Sequence, residues 1–114
     1  MTFGSQLRKL RREAGVTQRD LAESTGLDFS YISKLENDRN APPAADSIVK
    51  ICAVLNVPPE SLLALTGKIP SDVQETISSN VAAQEFLRET HRLGLTEGDW
   101  RRLSKEARRL RGKM

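Results

Sequence analysis

Two short helical segments joined at a glycine constrain the fold of this 114-residue chain more than any other feature. Thr17 opens the first segment with a capping box that has aspartate at the third helical position. Gly26 ends it, because the following turn needs a positive φ that residues with side chains resist. Asp28 is expected to cap the second segment, which runs from Phe29 to about Asn37. This spacing predicts a helix-turn-helix whose second helix projects from the body.

The rest of the chain is also predicted to be helical, and the sequence shows no strand-like alternation. Apolar residues recur at helical spacing before Thr17, from about Ala45 to Leu55 and over 59–65. Beyond a hinge at 67–70, helices are predicted to about residue 80, over 82–93 and after Asp99. We therefore predict an all-α chain, with a five-helix domain at residues 1–67 and a short helical region at 68–114.

The composition argues against catalysis. The chain has one cysteine, Cys52, and one histidine, His91. It lacks a glycine-rich phosphate loop, paired metal-ligand spacing and any plausible catalytic triad. Cys52 lies on the predicted apolar stripe of the fourth helix and is interpreted as a small core residue. We expect a binding module without metal or cofactor and not an enzyme.

Neither a membrane segment nor a secretion signal is indicated. No apolar run approaches the roughly 20 residues that span a bilayer, and no charged-then-apolar leader opens the chain. We therefore expect a cytoplasmic protein that does not enter a membrane.

The basic residues cluster in two places. Lys and Arg outnumber Asp and Glu by seven to three in residues 97–114, and by seven to six in residues 1–40. A mildly basic chain fits a nucleic-acid partner without establishing one. Both the C-terminal cluster and the basic residues of the first helix (Arg8, Lys9, Arg11 and Arg12) are interpreted mainly as solvated helix faces. Contact with nucleic acid is the alternative.

A longer motif runs in register through the two segments. It reads Val16-Thr17-Gln18-x-x-Leu21-Ala22-x-x-x-Gly26-Leu27-x-x-x-x-Ile32-Ser33-Lys34-Leu35-Glu36-Asn37. With this motif, residues 4–66 resemble the lambda-repressor-like, or xenobiotic-response-element (Xre), family of bacterial and phage repressors. The resemblance implies a five-helix domain that binds double-stranded operator DNA as a homodimer. It indicates a sequence-specific transcriptional regulator, with repression of a promoter as its activity.

Two departures from the family pattern follow the motif. Asp38 stands where the family usually has glycine, and Pro42-Pro43 lengthens the next loop by one residue. Aspartate tolerates the left-handed conformation better than most residues, so we expect the turn to survive.

The candidate DNA contacts lie on the second and third helices. Ser30 and Lys34 share the face opposite the apolar pair and are predicted to contact base edges. Phe29 is predicted to touch a thymine methyl, with packing against the second helix as the alternative. The resemblance implies phosphate contacts for Gln18 and for the turn after the third helix. Tyr31 and Ser33 are predicted to contact phosphates or the groove wall, and base contact is the alternative to capping for Asp28. The full set comprises Gln18, Arg19, Phe29, Ser30, Tyr31, Ser33, Lys34, Asn37 and Arg39.

Residues 70–114 are the candidate dimerisation device. Specific affinity normally comes from two such units about 34–36 Å apart on DNA. The apolar residues here are too few for an independent core, so pairing with a second copy would bury them. Folding back onto the N-terminal domain is the alternative. The predicted contact residues are Phe86, Leu87, Leu93, Trp100, Leu103 and Leu110.

The same region supports a second class of function. An antitoxin or protein-interaction module would act mainly through these C-terminal helices. The stretch from Glu85-Phe86-Leu87-Arg88 to Leu110 also loosely resembles the tails of Xre-type repressors that a partner metallopeptidase inactivates. A regulatory protein or a peptidase is therefore a further candidate partner, for a chain encoded by a bacterium or a phage.

Overall fold

The computed structural model describes residues 1–112, and every regular element among them is an α-helix. The helices are α1 (Phe3–Glu13), α2 (Gln18–Thr25), α3 (Phe29–Glu36), α4 (Ala45–Leu55), α5 (Glu60–Thr66), α6 (Ser71–Ser78), α7 (Val81–Leu93) and α8 (Glu97–Leu110). The all-α prediction is confirmed, and the predicted bounds of α4 agree with the structure at both ends.

Local sequence signals explain where the helices of the helix-turn-helix begin and end. Thr17 accepts a hydrogen bond from the Asp20 N–H, and the Asp20 side chain accepts one from the Thr17 N–H in return, so the predicted capping box forms. Gly26 ends α2 with φ 76°, in the left-handed region that glycine enters without steric cost. The turn between α2 and α3 therefore follows directly from the sequence.

The hydrophobic core is built from residues of all five helices from α1 to α5. Burying each of its large aliphatic side chains contributes about 1.5–3 kcal/mol relative to leaving it exposed. Burial also raises the pKa of the Cys52 thiol to about 11, as expected for a structural cysteine. The fully buried side chains are Leu7, Leu21, Ile32, Leu35, Ile48, Ile51, Leu62 and Cys52.

The turn after α3 holds the start of α1. Asp38 adopts φ 55°, so the left-handed turn survives without glycine. Its carboxylate accepts hydrogen bonds from the Gly4 N–H (2.9 Å) and the Thr2 hydroxyl (2.7 Å). A Cβ atom on Gly4 would lie within 3.0 Å of the carbonyl oxygens of Leu35 and Glu36, so α1 approaches this turn closely. Aspartate thus supplies contacts here that glycine would not.

The chain divides into two compact units, Met1–Gln74 and a second unit that begins at Glu75. In the first unit, the Lys68 ammonium donates to the carbonyl oxygens of Pro42 (3.0 Å) and Pro43 (2.9 Å). In the second unit, Thr96 caps α8 through a capping box with Asp99. The structural division falls within α6, seven residues beyond the boundary expected from the sequence.

Candidate nucleic-acid interface

Helix α3 presents one face to the core and the other to solvent. Ile32, Leu35 and Glu36 are buried, which fixes the orientation of the helix. Ser30 and Lys34 are exposed on the opposite side. The sequence-predicted base contacts therefore lie on a solvent-facing surface that a rigid core supports.

Tyr31 and Ser33 lie at the sides of α3. Both are half-buried, and Tyr31 packs against the core cluster. They are predicted to contact phosphates or the groove wall. Because both are half-buried, only the exposed part of each side chain is available for that contact.

Glu36 connects α3 to the two preceding helices. Its side chain is fully buried, and it accepts hydrogen bonds from Arg11 Nε (2.5 Å) and Nη2 (2.9 Å). Gln18 Nε2 (3.0 Å) and Arg8 Nε (3.4 Å) donate to the same carboxylate. Burial acts to raise the pKa of Glu36, but the hydrogen bonds from Arg11, Gln18 and Arg8 outweigh it and lower the pKa. Glu36 is therefore a charged carboxylate at the junction of α1, α2 and α3.

The interpretation of Arg11 as part of a solvated face is wrong. Arg11 is buried, and its Nη1 also donates to the Val16 carbonyl at 2.9 Å. The hydrogen bond to Glu36 raises the pKa of the guanidinium. The sequence does contain a signal for this burial, because Arg11 lies one helical turn after Leu7 on the apolar side of α1.

A cleft opens between α1 and the start of α2. It has a volume of about 810 Å³ and four arginines in its walls. Gln18 lies at its edge, with its amide already held by Glu36. Arg8 and Arg11 are already paired with Glu36, so Arg12 and Arg19 supply the guanidinium groups that suit an anionic ligand near the first turn of α2. The lining residues are Arg8, Arg11, Arg12, Gly15, Val16, Thr17, Gln18, Arg19 and Phe29.

Phe29 contacts the second helix, as one of its two alternatives expects, and its thymine contact stays a prediction. Its side chain is 40% exposed at the start of α3. The guanidinium carbon of Arg19, on α2, lies 5.0 Å from the centroid of its ring. The ring is therefore accessible to a ligand and also in contact with the second helix.

The predicted N-cap position of Asp28, before α3, is confirmed, but the predicted capping hydrogen bond is not formed. Its carboxylate instead accepts a hydrogen bond from the Ser30 hydroxyl at 2.7 Å. The Ser30 side chain is thus held by a neighbour on the same surface.

The turn after α3 contains the last two predicted DNA contacts. The Asn37 amide is already engaged, since it donates to the Ser33 carbonyl and accepts from Arg8 Nη2, each at 2.9 Å. Arg39 is exposed, and its backbone N–H donates to the Lys34 carbonyl at 2.9 Å. Of the two, Arg39 has the side chain that is free to reach outward.

In the second unit, α7 and α8 line two apolar grooves of about 460 and 360 Å³. Phe86 and Leu103 line both grooves, while Leu93 lines the larger and Trp100 and Leu110 line the smaller. Leu87 is half-buried and lines neither of these two grooves.

Besides a nucleic-acid interface, a cluster of metal ligands or a membrane-spanning helix would indicate a function. Within residues 1–112, no group of three or more His, Cys, Asp or Glu side chains could hold a metal ion. None of the described helices is both long and apolar enough to cross a bilayer.

The fold and the exposed face of α3 define a helix-turn-helix protein. The model of the helix-turn-helix family matches residues 7–62. The HTH-type transcriptional regulator RghRB of Bacillus subtilis (strain 168) is 34% identical, over 91% of this chain and 81% of that protein. The HTH-type transcriptional repressor RghR of the same strain is 37% identical over 60% of this chain and 50% of its own length.

Solved structures agree with this assignment. A crystal structure described as the master regulator for biofilm formation SinR in complex with DNA is 32% identical. It has a TM-score of 0.51 and covers 54% of this chain and 98% of that chain. The chain therefore belongs to the helix-turn-helix family of transcriptional regulators, which confirms the lambda-repressor-like assignment. Its relatives are regulators and not enzymes, as the sequence predicts for this chain.

Proposed function

We propose that this chain is a sequence-specific DNA-binding repressor that binds a two-fold symmetric operator as a homodimer. The observation that carries the proposal is the placement of α3, whose inner face is fixed by the buried Ile32, Leu35 and Glu36. A helix of this kind can enter a major groove and bring its outer side chains to base edges. The DNA-bound crystal structure of the similar protein SinR supports the same partner for this chain.

The proposed DNA contacts divide into two groups. Ser30 and Lys34 would read base edges, lysine by donating to guanine O6 or N7. Arg19 and Arg39 would bind backbone phosphates on either side and fix the helix in the groove. Gln18, whose side-chain amide already donates to Glu36, would bind a phosphate through its backbone N–H at the start of α2. The half-buried Tyr31 and Ser33 would contact the groove wall, and Asn37 would act mainly by holding Arg8.

Selection of bound duplexes from a random pool tests the proposal. The expected result is a two-fold symmetric consensus. Replacement of Ser30 or Lys34 by alanine should then cost about 1–3 kcal/mol of binding free energy for each true base contact and relax specificity at one position. The matched control is Lys50→Ala on α4, an exposed lysine outside this surface. Recovery of no consensus from the wild-type selection would overturn the proposal.

The second unit supplies the proposed dimer contact. The side chain of Phe86 is 47% exposed and that of Trp100 is 37% exposed, on grooves that Leu103 shares. A second copy of the chain would remove this apolar surface from water. The dimer would then hold its two α3 helices at the spacing of adjacent turns of the DNA major groove. The wild-type chain should therefore sediment as a dimer at micromolar concentration.

A charge placed in the grooves tests this contact. Leu103→Asp should convert the dimer to a monomer, because the new carboxylate would have to be buried. Lys105→Asp is the control, since Lys105 is an exposed residue of the same helix. Circular dichroism should show that α8 persists in both variants. A monomeric wild type, or a Leu103→Asp variant that stays dimeric, would contradict the proposal.

A second candidate function is protein interaction through α7 and α8. The two open apolar grooves favour it, since a helix of another protein could occupy them. A solved complex of SinR with SinI shows that a protein of the same fold, 22% identical to this chain, forms a protein complex. Such a partner, or a peptidase that cleaves the tail, would release DNA by separating the dimer. We place this activity in the cytoplasm of a bacterium, at the nucleoid.

A further inference from the structure

Arg19 and Phe29 contact each other between α2 and α3. The DNA contacts proposed for the two residues do not by themselves explain this contact. Arg19 is the second residue of α2 and Phe29 is the first residue of α3. The Arg19 guanidinium carbon lies 5.0 Å above the centre of the Phe29 ring. The stack therefore links the first turns of the two helices across the surface that would face DNA.

Arg19 has no other partner among the described residues. It forms no ion pair or side-chain hydrogen bond with any of residues 1–112. The neighbouring Asp20 is engaged in the cap of α2 and does not neutralise it. A guanidinium that lies over the face of a ring still has N–H donors available to a second ligand.

The guanidinium also borders the arginine-rich cleft. Arg19 and Phe29 form part of its wall together with Gln18 and Arg12. An arginine side chain loses rotamer freedom when it binds a phosphate, and stacking removes part of that freedom in advance. The ring can thus raise affinity for a phosphate without touching it.

We propose that Phe29 is a positioning residue: its ring holds the Arg19 guanidinium at the cleft, where that guanidinium binds a DNA backbone phosphate. Phe29 then contributes to affinity for every sequence and reads no base. This inference rests on the proposed DNA-binding function and replaces the thymine contact predicted from the sequence.

Salt dependence of binding separates the two roles. Each backbone phosphate that the protein no longer neutralises reduces the slope of log affinity against log salt concentration by about 0.9 for B-DNA. Affinity of the full chain for its selected operator would be measured between about 50 and 200 mM salt. The variants are Arg19→Gln, Phe29→Leu, Phe29→Tyr and the double variant of Arg19→Gln with Phe29→Leu.

Arg19→Gln should reduce the slope by about 0.9. Phe29→Leu should reduce the slope in the same direction and weaken binding roughly two- to fivefold, the range of a surface cation–π contact. This weakening should be the same on the operator and on an unrelated duplex. Phe29→Tyr keeps the ring and should behave as the wild type. The double variant should match Arg19→Gln, because the ring acts only through Arg19.

Lys50→Gln is the matched control, because it removes an exposed cation of the same unit outside the cleft. Thermal unfolding reports whether Phe29→Leu is folded, and Phe29→Met replaces it if it is not.

Three results would overturn the inference. An unchanged slope in Phe29→Leu with a loss confined to sites carrying a thymine at one position would assign Phe29 to base reading. An unchanged slope in Arg19→Gln would remove the phosphate contact. Additive losses in the double variant would show that the two side chains act separately. Failure of the wild type to bind any selected DNA would instead overturn the proposed function, and the inference with it.

Discussion

The two units of this chain bury their apolar residues to very different degrees. The first unit encloses its core residues from α1 to α5, and eight of their side chains are fully buried. In residues 75–112 of the second unit, the one buried residue is Thr90, while Leu93 and Leu110 are 62% and 86% exposed. The first unit thus satisfies its hydrophobic pattern within one chain. The second leaves apolar side chains of its amphipathic helices exposed, and we propose that a second copy covers them.

Their charges differ in the same way. In the first unit the ion pair of Arg11 and Glu36 is buried and joins residues 25 positions apart. In the second unit the ion pairs at Glu89–Arg92, Glu97–Arg101 and Glu106–Arg109 are exposed and lie within single helices. Exposed pairs of this kind contribute little to stability, about 0–1 kcal/mol each. Within residues 1–112, the ion pairs that join different helices thus lie in the first unit.

The largest predicted effect removes the buried carboxylate. Glu36→Ala should lower the free energy of unfolding of the first unit by about 3–5 kcal/mol, because it leaves Arg11 charged and buried without its carboxylate partner. Chemical denaturation followed by circular dichroism measures the loss. Glu89→Ala is the matched control in the second unit, where the partner Arg92 is exposed. Equal effects at the two positions would remove the contrast.

Lowering the pH should reduce the stability of the junction of α1, α2 and α3 around Glu36. The pKa of folded Glu36 lies below its ordinary value of 4.5, so the unfolded chain binds the proton more readily. The stability that this charge contributes is full above about pH 4.5 and is lost as the pH falls through the lowered pKa. Stability measured against pH should show this loss in the wild type.

The acid effect should be largely absent in Glu36→Gln. Asp46 and Asp99 will supply a residual dependence, because backbone N–H groups of Ser71 and Thr96 lower their pKa values. An unaltered pH profile in Glu36→Gln would show that this carboxylate is not the titrating group.

Two glycines offer the same substitution with opposite expected signs. Gly4→Ala should destabilise the first unit by about 1–3 kcal/mol, because its Cβ would meet backbone carbonyl oxygens that cannot move aside. Gly98→Ala should stabilise α8 by about 0.4–1 kcal/mol, since its Cβ would meet only the Thr96 hydroxyl oxygen at 3.7 Å. Thermal unfolding of both variants checks the signs. A neutral Gly4→Ala would mean that α1 packs less closely than the structure shows.

The sequence by itself determined the helices and the turn of the helix-turn-helix. The Thr17 cap, the left-handed Gly26 and the apolar stripe of α4 each depend on neighbours within one or two turns, so their signals are local. The left-handed Asp38 was also predictable, from the tolerance of aspartate for that conformation. The exposed positions of Ser30 and Lys34 followed from the period of α3.

Tertiary structure decided which polar groups meet across helices. Arg11 carries the local signal of a basic helix face. The structure instead buries it and pairs it with Glu36, 25 positions along the chain. The partner of a buried charge is set by the packing of helices that are distant in sequence. A buried charge without a partner would be strongly destabilising, because it has lost its hydration. Periodicity along the chain indicates which positions are buried and which are exposed. It does not indicate which side chain of another helix a buried residue contacts.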